Sequence, residues 1–530
     1  MRRYGSQRAR EARRIAIAGA GPGGLAAAML LARAGADVTL YERLDHVGGR
    51  SGTIKAETTS GLFQFDRGPT FFLYPRVLED IFTECGRRLS DEIELIRVDP
   101  QYRLIFADGA EINASADPAR LTQEVARLSP ADAAALPRFM AENRAKLKAF
   151  RPVLERAFNG LGDYLSPAML RALPLMRPFR SIDRDLARFF QDPRVRLAFS
   201  FQSKYLGMSP FRCPSLFTIL AFMEYEYGVW HPRGGCGAVM ARMADVATQL
   251  GVRIRLREPV EEILFEGNRA VGIRTAHETR WVDALVVNAD FAQAMSRLVP
   301  DRLRRRWSDR RIAQKQFSCS TFMLYLGIEG ELPELAHHTI YLAKDYRRNV
   351  AEIEAGLVTP TEASMYVQNA SVTDNTLAPP GCSTLYVLVP VGHRKPGGID
   401  WDREQPGFRQ KTLDRLRTLG IPDLDRRIRF EKIVTPRGWE EDLQVFRGAT
   451  FNLTHSLGQM LHLRPRNRFE DLEGVYLVGG GTHPGSGLPV IFESARITSR
   501  LIAEDLRLEL SPSTELRSAR LGAAAVAAVS

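Results

Sequence analysis

Cysteine is scarce and scattered in this chain. Cys85, Cys213, Cys236, Cys319 and Cys382 are odd in number, and none pairs with another at CxxC spacing. That spacing excludes a disulfide framework and a thiolate metal centre, and it points to a reducing, cytoplasmic compartment. No cluster of histidines or acids has ligand spacing, so no metal is expected. No apolar run reaches the ~20 residues that cross a bilayer. Residues 211–223 are apolar but too short, and the alanine-rich residues 521–530 read as a frayed tail. Internal repeats, long low-complexity segments and nucleic-acid-binding motifs are lacking too. What is present is a chain of 530 residues with 45% hydrophobic content, enough for a sizeable core in two or three lobes.

Glycine is concentrated at three places. Residues 14–18 form a short buried-type strand, followed by Gly19-Ala20-Gly21-Pro22-Gly23-Gly24 and a helical run over 25–34. A second strand over 37–41 ends on Glu42. Gly19, Gly21 and Gly24 fill the three glycine slots of a dinucleotide fingerprint, and Glu42 stands where an acid binds ribose hydroxyls. Downstream, Val47-Gly48-Gly49-Arg50 adds more backbone N–H groups and a guanidinium suited to clamping phosphate. That second pair favours a flavin dinucleotide over a nicotinamide one. The third concentration, Val478-Gly479-Gly480-Gly481-Thr482-His483-Pro484-Gly485-Ser486-Gly487-Leu488-Pro489, leads from a strand into a helix predicted to begin near Pro489. Its open helix start suits an anion or a developing negative charge.

The first two glycine motifs with Glu42 resemble the FAD-binding start of the superfamily that holds amine oxidases, protoporphyrinogen oxidase and carotenoid desaturases. Amine oxidases usually carry an acid straight after the glycine of the last strand. The wording Gly481-Thr482-His483-Pro484-Gly485 instead resembles the bacterial-type phytoene and diapophytoene desaturases. The resemblance spans residues 13–508. It implies an α/β fold: a Rossmann-type FAD-binding domain, a discontinuous mixed-sheet substrate domain and a helical membrane-facing lobe. The expected boundaries are 1–112, 227–300 and 466–510 for the FAD domain, 113–226 for the helical lobe, 301–465 for the substrate domain and 511–530 for the tail. The implied FAD contacts are Gly19, Gly21, Gly23, Gly24, Glu42, Gly48, Gly49, Arg50, Val260 beside the adenine, Gly480, Gly481, Gly487, Leu488, Pro489 and Val490. The implied substrate is a long acyclic isoprenoid of the phytoene or 4,4'-diapophytoene type. A saturase, isomerase or terminal oxygenase of carotenoids, and a prenyl-binding escort protein, remain open on the same scaffold. Val490-Ile491-Phe492-Glu493 is bulkier than in many relatives, which leaves chain length open.

Other segments carry expectations with alternatives. Residues 252–256, 260–265 and 270–273 read as a meander leading back to the FAD domain, with a hairpin turn at Gly267-Asn268. His483 is either a general base or a structural residue near the flavin. Glu493 is a candidate proton acceptor or a complement to its helix dipole. Residues 321–327 and 383–390, with Phe63, Phe71, Phe72 and Tyr74, either line an apolar slot or form ordinary core. The net charge of +11 comes largely from residues 1–14, with six arginines and one glutamate, and from residues 301–315, with seven basic and two acidic groups. These patches suit anionic lipid headgroups or a solvated face. Residues 161–180 mix Leu, Met and Phe with Arg171, Arg177 and Arg180, fitting either a surface dipping into headgroups or a lid over a tunnel. The arginine-rich start followed by apolar residues imitates an export signal, but the fingerprint glycines interrupt it and none is expected.

Overall fold

The computed structural model describes residues 12–357, 363–421 and 423–510. The arginines before residue 12 and the tail over 511–530 lie outside the described residues.

Strand Arg14–Ala18 is the centre of a five-stranded parallel sheet among the described residues. The order is Arg253–Arg255, Asp37–Tyr41, Arg14–Ala18, Ala284–Val287, Val475–Leu477. Both faces are covered, which explains why these strands read as continuous apolar runs. Ile15 and Ile17 pack with Leu25, Met29 and Ile502 on one side, while Ala16 packs with Ile263, Leu285 and Phe291 on the other. Helix Pro22–Arg33 starts with proline in its first turn behind the extended Gly21 and ends before Gly35, whose φ is +84°. It lies between helices Gly235–Gln249 and Leu488–Leu506, burying Leu25 and Leu31 completely.

The predicted meander divides. Arg253–Arg255 leaves it and pairs parallel with Asp37–Tyr41 at the sheet edge. The meander itself is Glu262–Glu266, Arg269–Arg274 and Thr279–Trp281, the last of which the hydrophobic pattern did not reveal. Val260 precedes its first strand.

Among the described residues a seven-stranded mixed sheet forms the second layer, in the order Ile428–Val434, Ser320–Glu329, Cys382–Val391, Met365–Gln368, His338–Leu342, Tyr102–Phe106, Glu111–Ala114. Tyr102–Phe106 lies in the 1–112 segment expected to serve the FAD domain, and Glu111–Ala114 straddles its end. Local alternation marks a strand but not its partner, and here the partner of Tyr102–Phe106 is His338–Leu342. The stretch from Pro118 to Tyr227 is largely helical, with Pro118–Leu128, Pro130–Leu154, Pro167–Met176 and Ile219–Tyr227 closing over a core that includes Phe139, Phe190 and Phe222.

The basic run over 301–315 is not one exposed patch. Arg304 is buried beside Trp307, donating to the Val299 and Trp307 carbonyls and to Asp309. Arg306 is tied to Glu470. In the helical lobe, Arg177 likewise turns inward to Glu142 and Asp185. Among the described residues no helix is long and apolar enough to cross a membrane.

Candidate functional site

One continuous cavity of about 940 Å³ joins all three glycine segments to an apolar arm. At its first end, strand Arg14–Ala18 turns through Gly19 and Gly21 into a helix whose N-cap has no side-chain hydrogen bond. The N–H groups of that first turn therefore remain available to a ligand. Gly19 has φ +106°, and a Cβ there would stand 2.3 Å from the Asn288 carbonyl oxygen. A Cβ on Gly24 would stand 2.1 Å from the Gly19 oxygen, and one on Gly23 would stand 2.4 Å from Val478 Cγ1. Gly23, Gly24, Gly48 and Gly481 lie behind the cavity wall, while Gly19, Gly21, Gly49 and Gly480 form it. The hidden glycines let helix, strand and loop close on one another; the others let a ligand come close.

Gly48 docks this second glycine pair onto the first turn by donating to the Ala20 carbonyl at 2.8 Å. Arg50 follows in the wall, and its Nη1 donates to the Thr450 carbonyl. It has no ion-pair partner among the described residues. The opposing charge that acts on it is Asp290, which accepts from Asn452 Nδ2 at 2.7 Å. Glu42, buried at the end of the second strand, accepts from Ala20 N at 2.8 Å and Leu44 N at 2.9 Å, one on each oxygen. Each oxygen keeps a lone pair for a ribose hydroxyl. Val260 stands farther along the same wall, beside Pro259 and Leu44.

At the other glycine turn, strand Val475–Leu477 feeds residues 478–487 and then helix Leu488–Leu506. Gly479, Gly485 and Gly487 have φ of +122°, +146° and +110°. A Cβ on Gly485 would meet His455 Nε2 at 2.3 Å, the same nitrogen that accepts from Ser486 N. Gly487 caps the helix without a side chain, and Pro489 has no N–H, so Leu488 and Val490 present the open donors. Leu488, Pro489, Val490 and Glu493 all line the cavity. His483 does not. It is buried, its Nε2 lies 3.0 Å from the Arg156 carbonyl oxygen, and burial pushes its imidazole down to about 4. Burial thus keeps it neutral, behind the turn rather than in the cavity wall.

The apolar arm runs between the helical lobe and the seven-stranded sheet. Phe71, Tyr74, Thr321, Tyr386, Leu388 and Pro390 line it, whereas Phe63 and Phe72 belong to the core. Strand alternation explains the split: Phe322 and Leu324 face Trp401 and Phe408 on the other side of the sheet. Phe71 stacks on His338 at 4.1 Å and lies 5.3 Å from Tyr205 and 5.6 Å from Tyr366. Tyr366 and Tyr205, and the polar residues Asn288, Asp290 and His455 at the other end, escaped the sequence reading. Each enters from a segment that has no local motif.

Open helix starts at both glycine turns, a guanidinium free of carboxylates and a ribose-ready glutamate together fit an FAD. A family model for flavin containing amine oxidoreductase matches residues 22–503. The chain belongs to the flavin-containing amine oxidoreductases. Within them it belongs with the bacterial carotenoid desaturases. It is 42% identical over 497 residues to a 4,4'-diapophytoene desaturase (4,4'-diapolycopene-forming) of Methylomonas sp, covering 93% of this chain and 96% of that one. It is 36% identical to a zeta-carotene-forming phytoene desaturase of Myxococcus xanthus, covering 97% and 99%. Among solved structures, an oxidoreductase from Methanosarcina mazei aligns at TM-score 0.59 and 16% identity, covering 93% of this chain and 100% of that one. Cyclohexylamine oxidase from Brevibacterium oxydans aligns at TM-score 0.57 and 16% identity, covering 94% and 100%. At that identity these two carry the fold alone. As a family member the chain is an FAD-dependent oxidoreductase of mixed α/β fold.

Proposed function

We propose that this chain desaturates a long acyclic carotenoid precursor of the phytoene or 4,4'-diapophytoene type. The observation that carries the proposal is the continuity of the cavity: a polar, anion-ready segment at the glycine turns opens into an arm walled by Phe71, Tyr205, Met223 and Leu388. When bound, FAD supplies an acceptor for a hydride from an unactivated allylic C–H. The protein's own contribution is placement and charge. Leu488 and Val490 N–H groups, at the positive end of their helix dipole, would stabilise negative charge developing on a flavin held there. The aromatic wall holds a polyene chain and excludes water.

The second hydrogen leaves as a proton, and Glu493 is the acceptor. It is buried in the cavity wall, with Oε2 held by Arg496 Nη1 at 2.8 Å and Oε1 without a partner. Burial raises its carboxyl, and Arg496 works against that rise in favour of the carboxylate. A proton beside an allylic cation is acidic enough for such a base.

The helical lobe is the side that meets a membrane surface. Leu161, Leu165, Leu170, Leu173 and Phe179 are exposed together, Phe179 at 91%, with exposed Arg171 and Arg180 among them. Such contact is peripheral, on the cytoplasmic face.

Expression in cells that accumulate phytoene or its thirty-carbon counterpart tests the proposal, with pigment absorption and mass as the readout. Colour from one substrate fixes chain length. Colour from neither, in cells containing flavin-loaded protein, overturns the desaturase reading in favour of a saturase or isomerase.

A further inference from the structure

Arg464 is wholly buried behind the turn over 479–487, and its guanidinium is surrounded by backbone oxygen alone. Nη2 donates to the Gly480 carbonyl at 2.6 Å and the Leu453 carbonyl at 3.1 Å. Nη1 donates to Thr454 and Gln459, and Nε to Thr482. No ion-pair partner lies within reach among the described residues. The neighbouring imidazoles add no second positive charge: burial, helped by the charge of Arg464, keeps both His455 and His483 neutral.

Binding these carbonyls does not require a cation. Three residues on, Asn467 does a similar job with a neutral amide, donating to the His483 carbonyl at 3.0 Å and to Ser494 Oγ at 3.1 Å. Burying a charge without a counter-charge costs several kcal/mol. A charge kept at that cost has an electrostatic use, and Gly480, which it grips, is itself cavity wall. Burial pulls the guanidinium down to about 9, so it stays charged at neutral pH.

We propose that Arg464 is a positioning residue that holds a standing positive charge behind the flavin-ring turn and raises the reduction potential of the bound FAD. The proposal rests on the FAD assignment and not on the identity of the substrate. Bound FAD would supply the acceptor for the hydride, an electron pair and a proton together, and would gain one negative charge with it. The second proton departs separately to Glu493. Arg464 supplies the counter-charge for that gain before the reaction begins, so little reorganisation is needed during it.

Spectroelectrochemical titration of the purified, FAD-loaded protein without substrate is the test. The wild type should reduce at a higher potential than free FAD. Arg464→Met, which keeps length and loses charge, should shift the reduction equilibrium at least tenfold toward oxidised flavin, about 30 mV for a two-electron couple. Arg464→Lys should stay near wild type. An unchanged potential in FAD-loaded Arg464→Met overturns the proposal. If that variant cannot hold FAD, the wild type decides, and a potential at or below that of free FAD overturns it. A protein that desaturates nothing still gives this readout, so the two readings fail separately.

Discussion

Arg50 and Thr450 stand 400 positions apart in the chain, yet Arg50 Nη1 donates to the Thr450 carbonyl at 2.9 Å. That bond ties the second glycine motif to the loop before the third and fixes the guanidinium plane. Most of its N–H groups are left for pyrophosphate. Arg50→Ala removes both the tie and the charge-assisted contact, worth roughly 1.5–3 kcal/mol. FAD affinity should fall about tenfold to a hundredfold, measured by flavin fluorescence during dilution. Arg50→Lys should recover only part, because an ammonium lacks the fork. Equal affinity in all three proteins would remove Arg50 from the phosphate site.

Gly24 faces its own turn rather than the cofactor. A Cβ there would stand 2.1 Å from the Gly19 oxygen and 2.7 Å from Asn288 Nδ2. Asn288 Nδ2 itself bonds that oxygen at 2.9 Å. Gly24→Ala must therefore push the helix off the sheet, costing about 1–3 kcal/mol. FAD should be lost and the melting temperature of the apoprotein should also drop. Gly21→Ala meets only Asn288 Nδ2 at 3.2 Å, so it should weaken FAD binding with less effect on apoprotein stability. Matching apoprotein melts for the two variants would refute this division of labour.

The glycine turns were legible because each imposes a local requirement: a positive φ at Gly19 or Gly487, or an uncapped helix start after a buried strand. The reason behind Gly23 was not, since its clashes come from Val478 and Asn288, far away in sequence. Arg464 was invisible for the same reason. Its five acceptors come from two loops that meet only in the folded chain. Charge counting over residues 301–315 takes every arginine as exposed, and the burial of Arg304 leaves no mark in the sequence. Trp307 and Asp309 draw Arg304 inward. The pairing of Tyr102–Phe106 with His338–Leu342 was not legible either, because it leaves no mark in either segment.

Glu224 gives the fold a pH dependence of its own. It is completely buried, its Oε2 accepts from Tyr102 and Gln202 at 3.0 Å each, and its Oε1 has no partner. Burial pushes its carboxyl up to about 7 from an ordinary 4.5. The folded state therefore holds a proton that the unfolded chain releases once pH exceeds about 4.5. Stability falls as pH rises from there to about 7, by up to ~3 kcal/mol, and then levels off. Glu224→Gln mimics the protonated form and should flatten thermal stability across that window. A variant with the wild-type slope would assign the dependence to another group.

The exposed side chains of the helical lobe are the last test of how this protein reaches a water-insoluble substrate. Leu161, Leu165, Leu170, Leu173 and Phe179 stand clear of the core, while Met169, Ala172 and Met176 of the same stretch hold helix Pro167–Met176 onto it. Replacing the exposed set with serine should therefore leave the melting temperature nearly unchanged. Each side chain that fully enters an apolar layer contributes ~1.5–3 kcal/mol. Leu165→Ser with Phe179→Ser should thus lower vesicle co-sedimentation at least tenfold, with little dependence on salt. Arg171→Ala with Arg180→Ala should weaken binding to anionic vesicles less, and salt should erase that difference, because exposed charges are screened over about 10 Å at 0.1 M. Arg304→Ala should destabilise the fold without a specific effect on vesicles, since its guanidinium is buried beside Trp307. Co-sedimentation that ignores Leu165 and Phe179 but follows Arg305 and Arg310 would return the contact to the basic segment and leave the apolar set as a lid over the cavity.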